Sequence, residues 1–174
     1  MRDREQRPAD NEYNEYYGRY IERVPNGDIV VILRGQIEKT CGLIEKAGDA
    51  KAGHAYAPGK WTVREVIGHL ADGERIFAYR ALRFAREDQT PLPGFDQNVY
   101  VPTGRFEKRS LASLVDEFRA VRAASVALYD SFDADAWSKG GHASDMPVTV
   151  RALAWLTAGH ELHHRALLAE RYFT

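Results

Sequence analysis

Apolar side chains recur along most of this chain at intervals of three and four residues, the spacing that aligns one face of an α-helix, and strand-like alternation is nearly absent. Val30, Leu33, Ile37, Cys41 and Ile44 form one stripe, predicting a helix from a cap at Asp28 to about Ala47, with Gly48 near its end. A second stripe of Val66, Ile67, Leu70, Phe77, Ala81 and Phe84 follows Thr62-Val63-Arg64-Glu65, a capping-box sequence, and predicts a helix running to about Arg86. Gly68 and Gly73 weaken this helix, so something is expected to pack closely against its backbone. Ser110 caps a third helix, carried by Leu111, Leu114, Val115, Phe118, Val121 and Leu128 to near Phe132. Thr149 caps the last, where Leu153, Leu156, His160, His164 and Leu167 share one stripe. The class read from this pattern is all-α.

The intervening segments are punctuated by breakers. Residues 1–27 are polar, charged and rich in tyrosine (Tyr13, Tyr16, Tyr17, Tyr20), and Pro25-Asn26-Gly27 ends them with a turn. They read as an N-terminal arm, mobile over its first few residues, before a domain spanning 28–174. Between Glu87 and Arg109 stand Pro91, Pro93, Pro102, Gly94 and Gly104, which forbid a regular helix there. A structureless connection of that length is uncommon inside a compact domain, so it reads as a covering loop or a bundle crossover. Asp133 caps a short turn through Trp137, and Gly140-Gly141 opens a loop that closes at Pro147.

Composition narrows the setting. A chain of 174 residues suits one domain with a substantial core. With 24 basic and 25 acidic side chains, it offers no basic stripe for nucleic acid. Cys41 is the single cysteine, which excludes an internal disulfide, and no apolar run approaches a membrane span or a signal-peptide core. A cytoplasmic protein with no membrane partner is the expectation.

The chemistry concentrates in His160-Glu161-Leu162-His163-His164, where His160 and His164 stand at i and i+4 on one helix face, a spacing that chelates metal. His69, in Val66-Ile67-Gly68-His69-Leu70, is a third candidate ligand from a second amphipathic helix. Three imidazoles converging in a bundle make an open, catalytic-type site, at which water or a thiol coordinates and loses a proton near neutral pH. Asp72 and Glu161 are the nearest carboxylates in sequence, candidates to orient an imidazole or move a proton, against the plain reading of solvated helix charges. A lone histidine on an apolar stripe is more often a hydrogen-bonded core residue, and this alternative applies to each of the three. His163 points about a hundred degrees away from His164 and reads as peripheral, His54 and His142 as solvated loop residues, and Tyr56 and Trp61 as packing at a helix entrance. Phe95, Asp96 and Asn98 border a pocket if the proline-rich loop folds over the site.

Tyr56 to Thr62 with its Gly59-Lys60-Trp61-Thr62, His69 followed by Glu74-Arg75-Ile76-Phe77-Ala78-Tyr79-Arg80, Pro91-Leu92-Pro93-Gly94-Phe95-Asp96 and His160 to Arg165 together resemble the DinB-like metal-binding helical bundles, over most of the chain. The resemblance implies a four-helix bundle with long crossover connections, often a homodimer, in which His69, His160 and His164 hold one divalent metal, with zinc, nickel, iron and manganese all compatible. It also implies, as one activity among relatives, transfer or isomerisation that uses a low-molecular-weight thiol.

The expectation is therefore a metal-dependent transferase or hydrolase acting on a small molecule through a metal-activated thiolate or water. Two alternatives stand beside it. One is a non-catalytic bundle that binds a metal or a small ligand. The other is a metalloprotease, because residues 160–164 satisfy H-E-x-x-H with Glu161 as base. Only ten residues follow His164, too few to bring a third ligand from downstream.

Overall fold

Side-chain caps set where the helices begin. In the computed structural model, which describes residues 3–174, the Asp28 carboxylate accepts from the backbone N–H groups of Val30 and Val31, and Thr62 with Glu65 completes the capping box. Ser110 accepts from Ser113 N–H, and Thr149 from Ala152 N–H. Each cap satisfies donors that the first helical turn leaves orphaned. The helices are α1 (Gly18–Ile21), α2 (Ile29–Ala47), α3 (Val63–Ala85), α4 (Gln97–Thr103), α5 (Leu111–Asp130) and α6 (Val150–Leu167), with a hairpin of β1 (Gly140–Ala143) and β2 (Met146–Thr149).

The four long helices form a bundle in which α3 packs on α5 and α6, and α2 packs on the same two. Successive long helices α2 and α3 therefore occupy opposite corners, as do α5 and α6. The apolar core falls into two clusters along the bundle. Charged and polar residues lie between them: Arg122 of α5, Glu74 of α3, Glu161 of α6, and Gln36 and Thr40 of α2, all buried. Among the described residues no helix is long and apolar enough to cross a membrane.

Two segments depart from the sequence expectation. The 87–109 connection is not free of helix: Asp96 caps α4 by accepting from Asn98 N–H, and Pro102 stands in its last turn, beside Thr103, whose Oγ1 donates to Val99 O at 2.8 Å. The 140–147 loop is a two-stranded hairpin, Gly140 opposite Thr149 and Ala143 opposite Met146. It turns at Ser144 and Asp145, whose φ values of 56° and 61° match the left-handed pair of a tight hairpin turn. Leu92 N–H donates to His142 O at 2.9 Å and Ser144 N–H to Leu92 O at 3.0 Å, so the proline-rich segment is tied to this hairpin.

The arm docks on α6. Three single 3-10 turns, Asp3–Glu5, Asp10–Glu12 and Glu15–Tyr17, lead into α1, and Tyr20, Ile21 and Val24 are buried. Met1 and Arg2, part of the segment read as mobile, lie outside the described residues, whereas Arg4 already pairs with Asp130 at 2.6 Å. Arg7 donates to Ile21 O and Val24 O, and Arg151 of α6 pairs with Glu12 at 2.9 Å. The contact is closest at Gly159, where an added Cβ would stand 2.1 Å from Tyr20 O.

That approach inverts the usual sign of a helix Gly→Ala exchange. Gly159→Ala is expected to destabilise the protein by at least about 2 kcal/mol, lowering Tm by roughly 4–8 °C and loosening the arm to proteolysis. Gly35→Ala, with nothing within 4 Å of its Cβ, is expected to stabilise by up to about 1 kcal/mol. Calorimetry of both variants checks the pair, and a Gly159→Ala protein as stable as wild type refutes the docking.

Candidate metal centre

His69 lies two turns into α3, and His160 and His164 stand one turn apart on α6, the helix packed against it. All three side chains are buried. Their Nε2 atoms converge: His69 Nε2 lies 3.0 Å from His160 Nε2, and His164 Nε2 lies 3.2 Å from the same atom. Donor atoms of the three rings all fall within 4.8 Å of one another.

Close packing holds the rings. Gly73 leaves room for His160, since a Cβ there would meet its Cε1 at 3.4 Å, and Gly68 likewise makes space for Phe106. The two glycines flanking His69 are thus explained by what packs on them. Trp61 lies on His69 with centroids 4.7 Å apart, and Tyr20 and Phe77 present edges to His160 at 5.7 and 5.8 Å.

Burial fixes the charge state. It lowers His69 to about 4, and it holds His160 and His164 well below the ordinary imidazole range, with the neighbouring rings adding to the effect. Neutral imidazoles are what metal coordination requires. Each carries one N–H, so at most one proton can sit in any contact between two facing Nε2 atoms, and bare lone pairs there repel. A cation relieves that repulsion. Nitrogens bound at roughly 2.0–2.1 Å and subtending about 90–110° stand about 2.8–3.4 Å apart, which spans the separations of His69 and His164 Nε2 from His160 Nε2. The donor set fits one small divalent ion.

The other candidates divide. Glu161 does not face the imidazoles: its oxygens accept from Thr40 Oγ1 at 2.5 Å and from Gln36, and Arg122 pairs with it at 2.7 Å. It lies roughly a hundred degrees around α6 from His160, in the charged layer of the bundle, so neither the role of proton carrier nor that of H-E-x-x-H base survives. Asp72 pairs with Arg75 at 3.6 Å, half-buried, and has no hydrogen bond to a ring of the cluster. His163 is half-buried with its ring against Tyr20, 5.2 Å between centroids. His54 is an exposed loop residue as expected, with Tyr172 edge-on to it at 6.2 Å between centroids.

A cavity of about 220 Å³ opens beside the cluster. Phe77 and Leu156 line it from the bundle, Phe95 and Ser144 from the loop and hairpin, and Tyr16, Tyr17 and Tyr20 from the arm. Trp61 lines this cavity and a second one reached from Tyr56, Asn98 and Tyr172, so it is wall as well as packing. Of the loop residues read as pocket border, Phe95 reaches the first cavity and Asn98 the second, while Asp96 serves as a helix cap. The arm tyrosines were not foreseen as walls. Their signal was an unusual density of aromatic residues in an otherwise polar segment.

The sequence model of the DinB superfamily matches residues 32–168. Among solved structures, YfiT from Bacillus subtilis, described as a probable metal-dependent hydrolase with an unusual four-helix bundle topology, aligns with a TM-score of 0.69 at 18% identity, covering 95% of this chain and 91% of YfiT. A mycothiol-dependent maleylpyruvate isomerase aligns with a TM-score of 0.69 at 15% identity, covering 84% of this chain but only 61% of the isomerase. At these identities the likeness is one of fold. No curated protein matches the chain.

The depressed histidines set a pH dependence. Rings that are neutral when folded take up protons on unfolding below the ordinary value of 6.5, so stability in the metal-free protein is present above 6.5 and lost as pH falls toward 4. Each contributing ring is expected to steepen the slope by up to about 1.4 kcal/mol per pH unit. Urea midpoints across that range, in wild type and in His69→Phe, measure it. A slope unchanged in the variant overturns the assignment.

Proposed function

This chain belongs to the DinB superfamily, and from that premise we propose that His69, His160 and His164 hold one divalent cation beside a pocket in which a small molecule reacts. The observation that carries this is the convergence of three buried, neutral Nε2 atoms at 3.0 and 3.2 Å beside an open cavity. Zinc, nickel and iron suit an all-imidazole donor set, whereas manganese favours carboxylate and water ligands and fits it less well. Among the described residues the cluster comprises three histidines with no fourth ligand, which favours an open site over a closed structural one.

A cation held this way keeps its full charge and an exchangeable position, where a water or thiol is acidified. The chain's own part is to supply the neutral donors, to hold them rigidly, and to border the cavity with Trp61, Phe77, Phe95 and the arm tyrosines so that bulk water is thinned. The chain brings no thiolate of its own, because Cys41 is buried and its thiol is pushed up to about 12 by burial. The reaction is then hydrolysis, or S-transfer in which a low-molecular-weight thiol enters the cavity as a second ligand.

Elemental analysis of purified protein beside a His160→Ala, His164→Ala double variant, with folding checked by circular dichroism, tests the reading. About one equivalent of metal per chain is expected in wild type and essentially none in the folded variant. A metal-free wild type that takes up no zinc, nickel, iron or manganese on reconstitution overturns it.

A further inference from the structure

Three arginines are buried within or against the bundle, and two of them are neutralised. Arg122 pairs with Glu74 and Glu161, and Arg151 pairs with Glu12. The third, Arg80 of α3, is 4% exposed and forms no ion pair among the described residues. Its only protein partners are neutral: Nη2 donates to Pro93 O at 2.9 Å and to Ser144 Oγ at 3.0 Å. A guanidinium has five N–H donors, so three are left without a protein acceptor. Neither Nε nor Nη1 is among the sealed polar atoms that lack a partner, so both are reached from accessible space.

Arg80 stands directly behind the part of the cavity wall formed by Phe95 and Ser144. It follows His69 by eleven residues, three helical turns, on the face of α3 that also presents Gly73 and Phe77 to the site. That places it about 16 Å along the helix from His69. Its guanidinium carbon stands 6.0 Å from the centroid of Phe95, and both Phe95 and Ser144 line the cavity. Burial disfavours its charged form, with Tyr17, another cavity residue, opposing that shift. An unneutralised buried cation is costly. Two neutral oxygens on one nitrogen are a weak return for it if its role is only to staple Pro93 to the hairpin.

We propose that Arg80 is the anion-recognition residue of this cavity, receiving the carboxylate of a small substrate whose apolar, unsaturated or aromatic body lies between Phe95, Phe77 and Leu156 and reaches toward the histidine cluster. A carboxylate supplies the missing countercharge and is matched by the free N–H groups. The wall chemistry selects the body. A single guanidinium suits a singly charged carboxylate better than a doubly charged phosphate. The proposal rests on reading this cavity as the substrate site, and it concerns a different end of that site from the metal.

The test is equilibrium binding near neutral pH, in chelator-treated and in metal-loaded protein, of trans-cinnamate, its neutral isostere trans-cinnamamide, and phenylphosphonate, followed by quenching of tryptophan fluorescence. Wild type is expected to prefer the carboxylate to the amide by about ten-fold or more in both metal states. Arg80→Gln is expected to bring that ratio close to one, with amide affinity held within about two-fold. Ser144→Ala, which removes the neutral hydrogen bond and leaves the charge, is expected to keep the preference. Should Arg80→Gln fail to fold, Arg80→Lys carries the test, with the preference cut by about three-fold or more through loss of the planar fork. A wild type without the preference, a folded Arg80 variant that retains it in full, or tighter binding of phenylphosphonate than of cinnamate overturns the assignment. Metal content is measured on every sample. A protein that takes up no metal even on loading, yet still shows the Arg80-dependent preference, contradicts the metal reading alone, whereas normal metal uptake with a preference indifferent to Arg80 contradicts this one alone.

Discussion

Arg122 enters the middle of the bundle from α5, and every partner it has lies on another helix. It donates to both carboxylate oxygens of Glu74 on α3 at 2.8 Å, pairs with Glu161 on α6 at 2.7 Å, and donates to Leu33 O on α2 at 3.0 Å. Thr40 and Gln36, also on α2, donate to the oxygens of Glu161. Buried ion pairs add little net stability, but a broken one strands a charge at a cost of about 3–5 kcal/mol. A one-residue slip of α3 or α6 rotates its carboxylate by about a hundred degrees, out of reach. The layer therefore selects register. Glu74 is five residues beyond His69 and Glu161 is adjacent to His160, so the register that pairs the charges is also the one that brings the imidazoles together.

The bundle fixes the donors, and segments attached to it shape the space they face. Tyr16, Tyr17 and Tyr20 come from the arm, Phe95 from the proline-rich connection, and Ser144 from the hairpin turn. None of these belongs to the four long helices, yet each is tied to them: the arm through Arg7 over Trp155, Glu12 with Arg151, and the close approach at Gly159, the connection through Pro93 O accepting from Arg80, and the hairpin through its run into α6. Such a division lets the pocket walls change without disturbing the charged layer, since loop residues are bounded by fewer packed neighbours than core positions. The histidine cluster lives in the bundle, and much of the wall of the cavity beside it comes from the attachments.

This division also explains what the sequence made legible. Asp28, Thr62, Ser110 and Thr149 marked the helix starts because an N-cap is a local interaction, completed within three residues. The histidine cluster was legible because i, i+4 spacing is local too, and one distant helix had to supply only a single further ring. The hairpin was hidden because Ser144-Asp145 lacks the glycine that usually announces a left-handed turn, although aspartate tolerates that conformation better than most residues. The short helix α4 was hidden by Pro102, which lacks the N–H that a helical residue donates one turn back and so reads as a break. Glu161 was misjudged, and Arg80 passed over, for one reason: a charged residue shows its partner only in the fold, and the surroundings of both come from segments far away in sequence. Both faces of α6 are buried in its middle, so periodicity alone did not separate the face of Glu161 from that of His160.

The same rigidity bears on how tightly the cluster can hold an ion. Ordering a mobile side chain on binding costs about 0.5–1.5 kcal/mol, and three free imidazoles would each incur it. Here Trp61, Phe77, Tyr20 and the space above Gly73 confine the rings in advance, and burial has already removed their protons near neutral pH. Those terms are borne by folding, where the apolar clusters on either side of the charged layer offset them, and they do not recur on binding. A cation entering this arrangement has only its own hydration to surrender. It gains three fixed donors at once.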